Sequence, residues 1–239
     1  MTPGKYIPDF ITSMNLVCGL IGVIFTIQSR LDFAFYCMLA AAVFDFLDGA
    51  AARLLDAYSD LGKELDSLCD AVSFGVLPGL MLSRLMQLYH FDSGWTCYLP
   101  LILAVFSVLR LAKFNVDPRQ TDGFLGLPTP ASALFCGALC CYCCHAPTSF
   151  VSTWAAGPVF IPLLTAVLCV LLVCEVPMFS LKFHRGDGRM LTVKRVTLAI
   201  FGLAVLLYCL AAGHHWSLAV ALAFAFYILN NLVYALFKL

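Results

Sequence analysis

Residues 33–70 read FAFYCMLAAAVFDFLDGAAARLLDAYSDLGKELDSLCD. An unbroken apolar run, 33–44, opens the stretch and predicts a membrane-crossing helix. Acids then intrude: Asp45, Asp48, Asp66 and Asp70 all fall where the chain otherwise reads as membrane helix. An ionised carboxylate in hydrocarbon costs roughly 2.5–3.5 kcal/mol on insertion scales. Four of them within 26 residues imply a compensating cation. Hard oxygen ligands of this kind suit Mg²⁺, Mn²⁺ or Ca²⁺. On a helix, Asp45 and Asp48 are three apart and share a face with Ala52; Asp66 and Asp70 are four apart and share a face of the next helix. Residues 54–65 are too polar to span and contain Gly62, so they read as a short turn-in region. The first pair then closes one helix at a membrane boundary and the second opens the next, with all four carboxylates converging on one pocket. Gly49 and residues 50–52 remove side-chain bulk where backbone or ligand approaches closely.

The rest of the chain agrees with a membrane setting. Of its 239 residues, 62% are hydrophobic and only 12% charged, against about 25% charged in soluble domains; mean hydropathy is +0.93. The expectation is an all-α, polytopic membrane helix bundle forming a single domain over 1–239. Eight spans are read near 10–29, 33–54, 67–88, 95–114, 129–145, 157–178, 195–213 and 216–236. A formal net charge of zero gives nucleic-acid binding no support. Placing the N-terminus in the cytoplasm puts twelve of the fourteen Lys and Arg on the cytoplasmic side, leaving Arg30 and Arg84 outside. Both termini, the aspartates and the 110–126 segment then share that side. The first span, with no small-residue cleavage site after it, reads as a retained helix. The basic stretch 182–195 reads as a positive-inside loop that also attracts anionic lipid, and Trp95, Trp154 and Trp216 as interface anchors on the outer face.

Two features are read as structural. Five of the twelve cysteines crowd into 136–144; in a span, with no second Cys-x-x-Cys pair elsewhere, they read as small apolar residues. His145, His184, His214 and His215 have no ligand-like spacing with one another, so no metal is assigned to them. Asp56, Asp60 and Glu64 read as caps and surface partners.

Two divalent cations held by four carboxylates suit displacement at phosphorus, where they offset charge on phosphate oxygens and on the leaving group. Arg53 adds a fixed cation with forked donors, and the carboxylate least engaged by metal can accept a proton. A transporter using intramembrane acids is the competing class. It needs carboxylates along a continuous passage, whereas these cluster on one side.

Residues 45–70 match D-x-x-D-G-x-x-A-R-x8-G-x3-D-x3-D at every fixed position, and in this the chain resembles the CDP-alcohol phosphotransferase family. The resemblance implies a helical membrane enzyme that transfers a CDP-linked phosphatidyl or phosphoalcohol group to a hydroxyl and releases CMP. It implies that Asp45, Asp48, Asp66 and Asp70 ligate two divalent ions, Mg²⁺ or Mn²⁺. It further implies that Asp70 is the general base, that Gly49, Ala52, Arg53 and Gly62 line the cytidine nucleotide site, and that the enzyme is a homodimer.

A second segment, 109–132, reads LRLAKFNVDP and then FLGLPTPAS from 124. Arg110, Lys113 and Asn115 close the fourth span level with the aspartates, where their donors suit a phosphate and the carboxylate of a polar substrate. Residues 126–130, Gly-Leu-Pro-Thr-Pro, read as a rigid re-entry into the next span. Together with Met14-Asn15-Leu16-x-x-Gly19 and VPMFSLKF at 176–183, this segment is similar to the bacterial and archaeal membrane-bound phosphatidylserine synthases of the family. Lys113 stands where arginine is common, and Asp9 near where asparagine is common. The resemblance implies that CDP-diacylglycerol and L-serine give phosphatidylserine and CMP at the cytoplasmic face of a bacterial-type inner membrane. Glycerol phosphate, inositol phosphate and choline are the alternative acceptors.

Overall fold

A computed structural model describes residues 6–90, 94–117, 124–179 and 189–237. Lys5, Arg119, Lys182, His184, Arg185 and Lys238 lie outside the described residues, as do 118–123 of the second segment, most of the basic stretch and the end of the 176–183 pattern. The described chain is helical apart from one two-residue antiparallel pairing, and six helical segments are long and apolar enough to cross a membrane. The chain is an integral membrane protein.

Helix α1 (Ile7–Ile27) opens with Pro8, whose fixed φ and missing N–H suit a first turn. Its buried face is Pro8, Thr12, Asn15, Gly19, Gly22 and Thr26, while Phe10, Val17, Leu20, Ile21 and Ile24 are exposed. This is the reverse of a soluble helix and what lipid requires: small and polar side chains mediate helix contact, and the apolar ones face acyl chains. A Cβ on Gly22 would lie 2.7 Å from Leu77 Cδ2, and one on Gly19 would overlap the Ser73 hydroxyl.

Helix α2 (Leu31–Leu54) returns antiparallel to α1. It ends where Asp56 takes φ 48° and the Ala57 N–H reaches back to Ala52 O at 3.0 Å, a left-handed C-terminal stop in which Asp is tolerated. Ser59 then caps α3 (Asp60–Asp70), accepting from the Gly62 N–H at 2.9 Å. The helix continues through a π-turn, Ala71–Val76, into α4 (Leu77–Tyr89). Pro78 explains the widened turn: it has no N–H to give Phe74 O, and its ring would press on that carbonyl in a regular α-helix.

A 3₁₀ turn, Gly94–Leu101, leads into α5 (Ile102–Val116). Strand β1 (Phe124–Leu125) pairs antiparallel with β2 (Pro177–Met178), strapping the start of α6 (Thr129–His145) to the end of α8 (Phe160–Val173). The short α7 (Phe150–Ala155) joins those helices, and α9 (Arg189–Ala211) and α10 (Ser217–Phe237) complete the bundle. Helix α6 is the buried post against which α2, α4 and α10 pack. Cys136, Cys140, Cys141 and Cys143 are buried within it, and every cysteine is a free thiol.

Eight spans were expected; six helical segments qualify by their own length. Helix α6 has 17 residues and α8 has 14, about 25 and 21 Å at 1.5 Å per residue, short of a hydrocarbon core of about 30 Å. Proline and glycine set their limits: Pro128 and Pro130 start α6, Pro147 follows it, and Gly157 and Pro158 precede α8. Trp95 and Trp154 are 73% and 62% exposed, as interface anchors require, but Trp216 stacks on Phe35 and Tyr36 at 5.9 and 6.2 Å.

Gly126 sits at φ 80°, where a Cβ would lie 2.7 Å from Leu172 O and 2.8 Å from Cys174 O. Gly126→Ala is expected to destabilise the protein by about 1–3 kcal/mol, read as a lowered thermal midpoint in detergent. Gly94→Ala, at φ 56° with nothing within 4 Å, is expected to lose less, about 1 kcal/mol.

Candidate functional site

The carboxylate oxygens of Asp45, Asp48 and Asp66 lie within 4.8 Å of one another. Two helices deliver them. The i, i+3 spacing on the last turns of α2 presents Asp45 and Asp48, and the five-residue reversal from Leu55 to Ser59 brings α3 back so that Asp66 faces them. Asp70, one turn beyond Asp66, is not in that group of three. Its carboxylate is buried and accepts from Asn15 Nδ2 at 3.0 Å, within electrostatic reach of the other three aspartates. Convergence from two helices therefore holds for three side chains, with the fourth set beside them by α1.

Helix α1 supplies the partners. Thr12 Oγ1 donates to Asp48 Oδ2 at 2.7 Å, and Ser73 Oγ, in the π-turn, donates to Asn15 O at 3.1 Å. Sequence reading gave Thr12 no role and placed Asn15 only in a pattern. A signal was present: Thr12, Asn15 and Gly19 recur at three and four residues, a polar stripe along an otherwise apolar helix.

A cavity of about 570 Å³ opens beside the carboxylates. Its walls include Asp48, Gly49, Ala52, Gly62, Lys63 and Asp66, together with Asp9 and Thr12 from α1. Three of the four residues expected around a nucleotide, Gly49, Ala52 and Gly62, thus line this cavity. Arg53 is exposed and does not line the cavity, its Nη1 standing 3.8 Å from where a Gly49 Cβ would be. No other protein atom comes within 4 Å of that position. Packing alone therefore does not demand glycine at 49, whereas a ligand lying against the backbone would. At Gly62 a Cβ would stand 3.0 Å from Asp9 Oδ1 and from Ser59 Oγ, a tight fit on the protein side.

Helix α5 brings its polar end toward the same region by different routes. Arg110 is buried beneath the Phe114 ring, 5.0 Å from its centroid, with Asp70 and Tyr227 as electrostatic neighbours. Asn115 Nδ2 donates to Ser67 Oγ at 2.9 Å, and Lys63 Nζ donates to Asn115 O at 3.0 Å, fastening α5 to α3. Lys113 is engaged elsewhere, in an ion pair with Glu175 at 3.5 Å and a bond to Val173 O at 3.3 Å. Asp60 lies in the first turn of α3, where a helix N-terminus favours an acid.

The donor set fits a hard divalent cation. Three carboxylates close enough for their oxygens to share one ion repel one another without it, and all the ligand atoms are oxygen.

Residues 5–177 match the CDP-alcohol phosphatidyltransferase family. The chain belongs to that family. It is 32% identical over 185 residues, 77% of this chain and 96% of the relative, to the CDP-diacylglycerol–serine O-phosphatidyltransferase of Bacillus subtilis. It is 34% identical over 211 residues, 85% of this chain and 68% of the relative, to the protein of the same name in Mycobacterium leprae. With the namesake in Mycobacterium tuberculosis identity is 39% over 139 residues. That alignment takes in 54% of this chain and 47% of the relative, about half its length. As a member of the family the chain is an enzyme of the phosphatidyl-transferring class.

If the three carboxylates hold a cation, adding Mg²⁺ or Mn²⁺ to chelator-stripped protein raises its thermal midpoint. Saturation at a hundred times the dissociation constant corresponds to about 2.7 kcal/mol. Asp48→Asn is expected to abolish that shift.

Proposed function

We propose that the chain transfers the phosphatidyl group of CDP-diacylglycerol to the hydroxyl of L-serine, giving phosphatidylserine and CMP. The observation that carries this reading is the grouping of Asp45, Asp48 and Asp66 beside a cavity of about 570 Å³, which Asp48 and Asp66 line together with Gly49, Ala52 and Gly62. The names of the similar relatives support serine as the acceptor.

Asp45, Asp48 and Asp66 would hold divalent metal, Mg²⁺ or Mn²⁺, with Asp70 completing a set for two ions. Bound there, the cations would offset charge on the diphosphate and on the departing CMP. The chain's own groups do the rest. Gly49 and Gly62 let the nucleotide approach the backbone beside Ala52, and Arg53 turns its guanidinium inward over Gly49 to pair with a phosphate. Asp70, oriented by Asn15, takes the proton from the serine hydroxyl. The serine oxygen forms a bond to the phosphorus bearing the diacylglycerol as the bond from that phosphorus to the CMP oxygen breaks, and the proton passes from Asp70 to solvent. Arg110, beside Asp70, receives the serine carboxylate or a donor phosphate. Asn115 and Lys113 hold α5 in register with α3 and α8. The acyl chains reach the phosphorus sideways from the bilayer, which is why the carboxylates stand at a membrane boundary.

The whole chain, 1–239, forms one catalytic domain in this reading, with eight crossings and both termini in the cytoplasm of a bacterial-type inner membrane. Placement of the positive charges supports the orientation. Contacts support α6 as a crossing despite its length. Leu127, at its start, donates to Leu171 O beside the α5 end, while Tyr142 and His145, at its finish, meet His214 and His215 in the α9–α10 turn. Homodimerisation, implied by the family resemblance, belongs to the same reading.

An acceptor screen on purified protein tests the assignment. CMP release from CDP-diacylglycerol is expected with serine and to be lost on chelation; release with glycerol phosphate, inositol phosphate or choline but not with serine overturns the acceptor. Asp70→Asn is expected to lose CMP release by a factor of at least about 10², the lower end of what a general base supplies. Gly49→Ala is expected to keep the thermal midpoint and weaken CMP inhibition, because its Cβ enters the cavity and not the protein.

A further inference from the structure

About 24 Å along α2 from Asp48, at the 16-residue distance of Asp32, lies a second cluster of metal-ligating side chains. Cys141, His145 and His215 place one ligand atom each within 4.8 Å of one another. Cys141 and His145 are one turn apart on α6; His215 comes from the turn between α9 and α10. We propose that these three side chains form a metal site separate from the carboxylate centre, for a borderline-soft divalent cation of the Zn²⁺ type, which clips the C-terminal helix pair to α6.

The chemistry of the donors sets the metal. Thiolate and imidazole together select Zn²⁺ or a similar late transition ion over Mg²⁺, the reverse of the all-oxygen aspartate site. Bond lengths of about 2.3 Å to sulfur and 2.0–2.1 Å to nitrogen put tetrahedral ligands roughly 3.3–3.6 Å apart. Cys141 Sγ already stands 3.9 Å from His145 Nδ1. The two imidazoles are stacked, centroids 3.8 Å apart and planes 11° from parallel, so one ring must turn about its Cβ–Cγ bond to bring both nitrogens onto one ion. His145 is exposed and free to do so. Ser217 Oγ lies 2.8 Å from His215 Nδ1, the kind of partner that orients an imidazole binding metal through its other nitrogen, whereas His145 Nδ1, now 3.0 Å from Cys141 O, must leave that carbonyl to bind through the same atom.

Charge also balances. As the sulfur–metal bond forms, the Cys141 thiol gives its proton to solvent, leaving one thiolate. Asp32, in the first turn of α2 and an electrostatic neighbour of His215, adds a carboxylate. Two negative charges and two neutral imidazoles neutralise a divalent ion at the end of an apolar bundle, where net charge is costly. The family match ends at residue 177, so the clip would fasten the helices beyond it to the most buried helix within it.

Cobalt spectroscopy on the chelator-stripped full chain in detergent, with thiols reduced and Mg²⁺ in excess to fill the carboxylates, reads the site directly. Co²⁺ is expected to give a thiolate-to-metal charge-transfer band at one equivalent, and Zn²⁺ to displace it. The band should be lost in Cys141→Ser, and affinity should fall at least about tenfold in His145→Ala and His215→Ala, while Asp45→Asn leaves it intact. Because His145 is exposed, His145→Ala should melt with the wild type in the absence of metal and lose only the Zn²⁺-dependent rise in thermal midpoint. No band in the wild type, an undiminished band in Cys141→Ser and His145→Ala, or equal stabilisation of all variants by Zn²⁺ overturns the proposal.

Discussion

Like charges at the edge of hydrocarbon constrain everything else in this molecule. Two ionised carboxylates with oxygens within 4.8 Å of each other oppose each other by at least about 3 kcal/mol at an effective dielectric constant near 20. Three such acids close one end of α2 and open α3. That arrangement persists only if something offsets it, and the surroundings are built to help. Helix α1 turns its small and polar side toward them, with Thr12 on Asp48 and Asn15 on Asp70. Gly19 and Gly22 let α1 come near enough for those short side chains to reach. The π-turn after Asp70, forced by Pro78, places Ser73 on the Asn15 carbonyl.

How much of this was legible in the chain depends on how local each signal is. Asp45, Asp48 and Asp66 were readable because helical spacing and one short reversal determine their convergence; no distant contact has to be known. The departure of Asp70 from the group of three was not readable, since it rests on Asn15, 55 residues away. The pairing of Lys113 with Glu175, which precedes β2, was not readable either, since it joins residues distant in sequence. The grouping of Cys141, His145 and His215 went unread for a related reason. Spacing among histidines alone ignores that Cys141 and His145 are themselves one turn apart, and His215 joins them only through the α9–α10 turn. Only six of the eight expected spans qualify by their own length among the described residues, because prolines and glycines limit α6 and α8 to 17 and 14 residues.

The final two helices carry little sequence motif yet are tied into the same region. Tyr227 of α10 donates to Phe179 O at 2.9 Å, and Phe179 N donates to Asn231 Oδ1 at 3.0 Å, close to Arg110 through Tyr227. Helix α10 thus closes the side of the bundle on which Arg110 is buried, and the strap of β1 and β2 lies next to it. The cavity is lined by α1, α2, α3 and the turn between α2 and α3.

Anomalous diffraction from crystals grown with Mn²⁺ tests the central claim most directly. A manganese peak among the carboxylates of Asp45, Asp48 and Asp66, with Asp70 alongside, is the expected result. Carboxylates pointing apart into lipid, or manganese bound only elsewhere on the molecule, would contradict it.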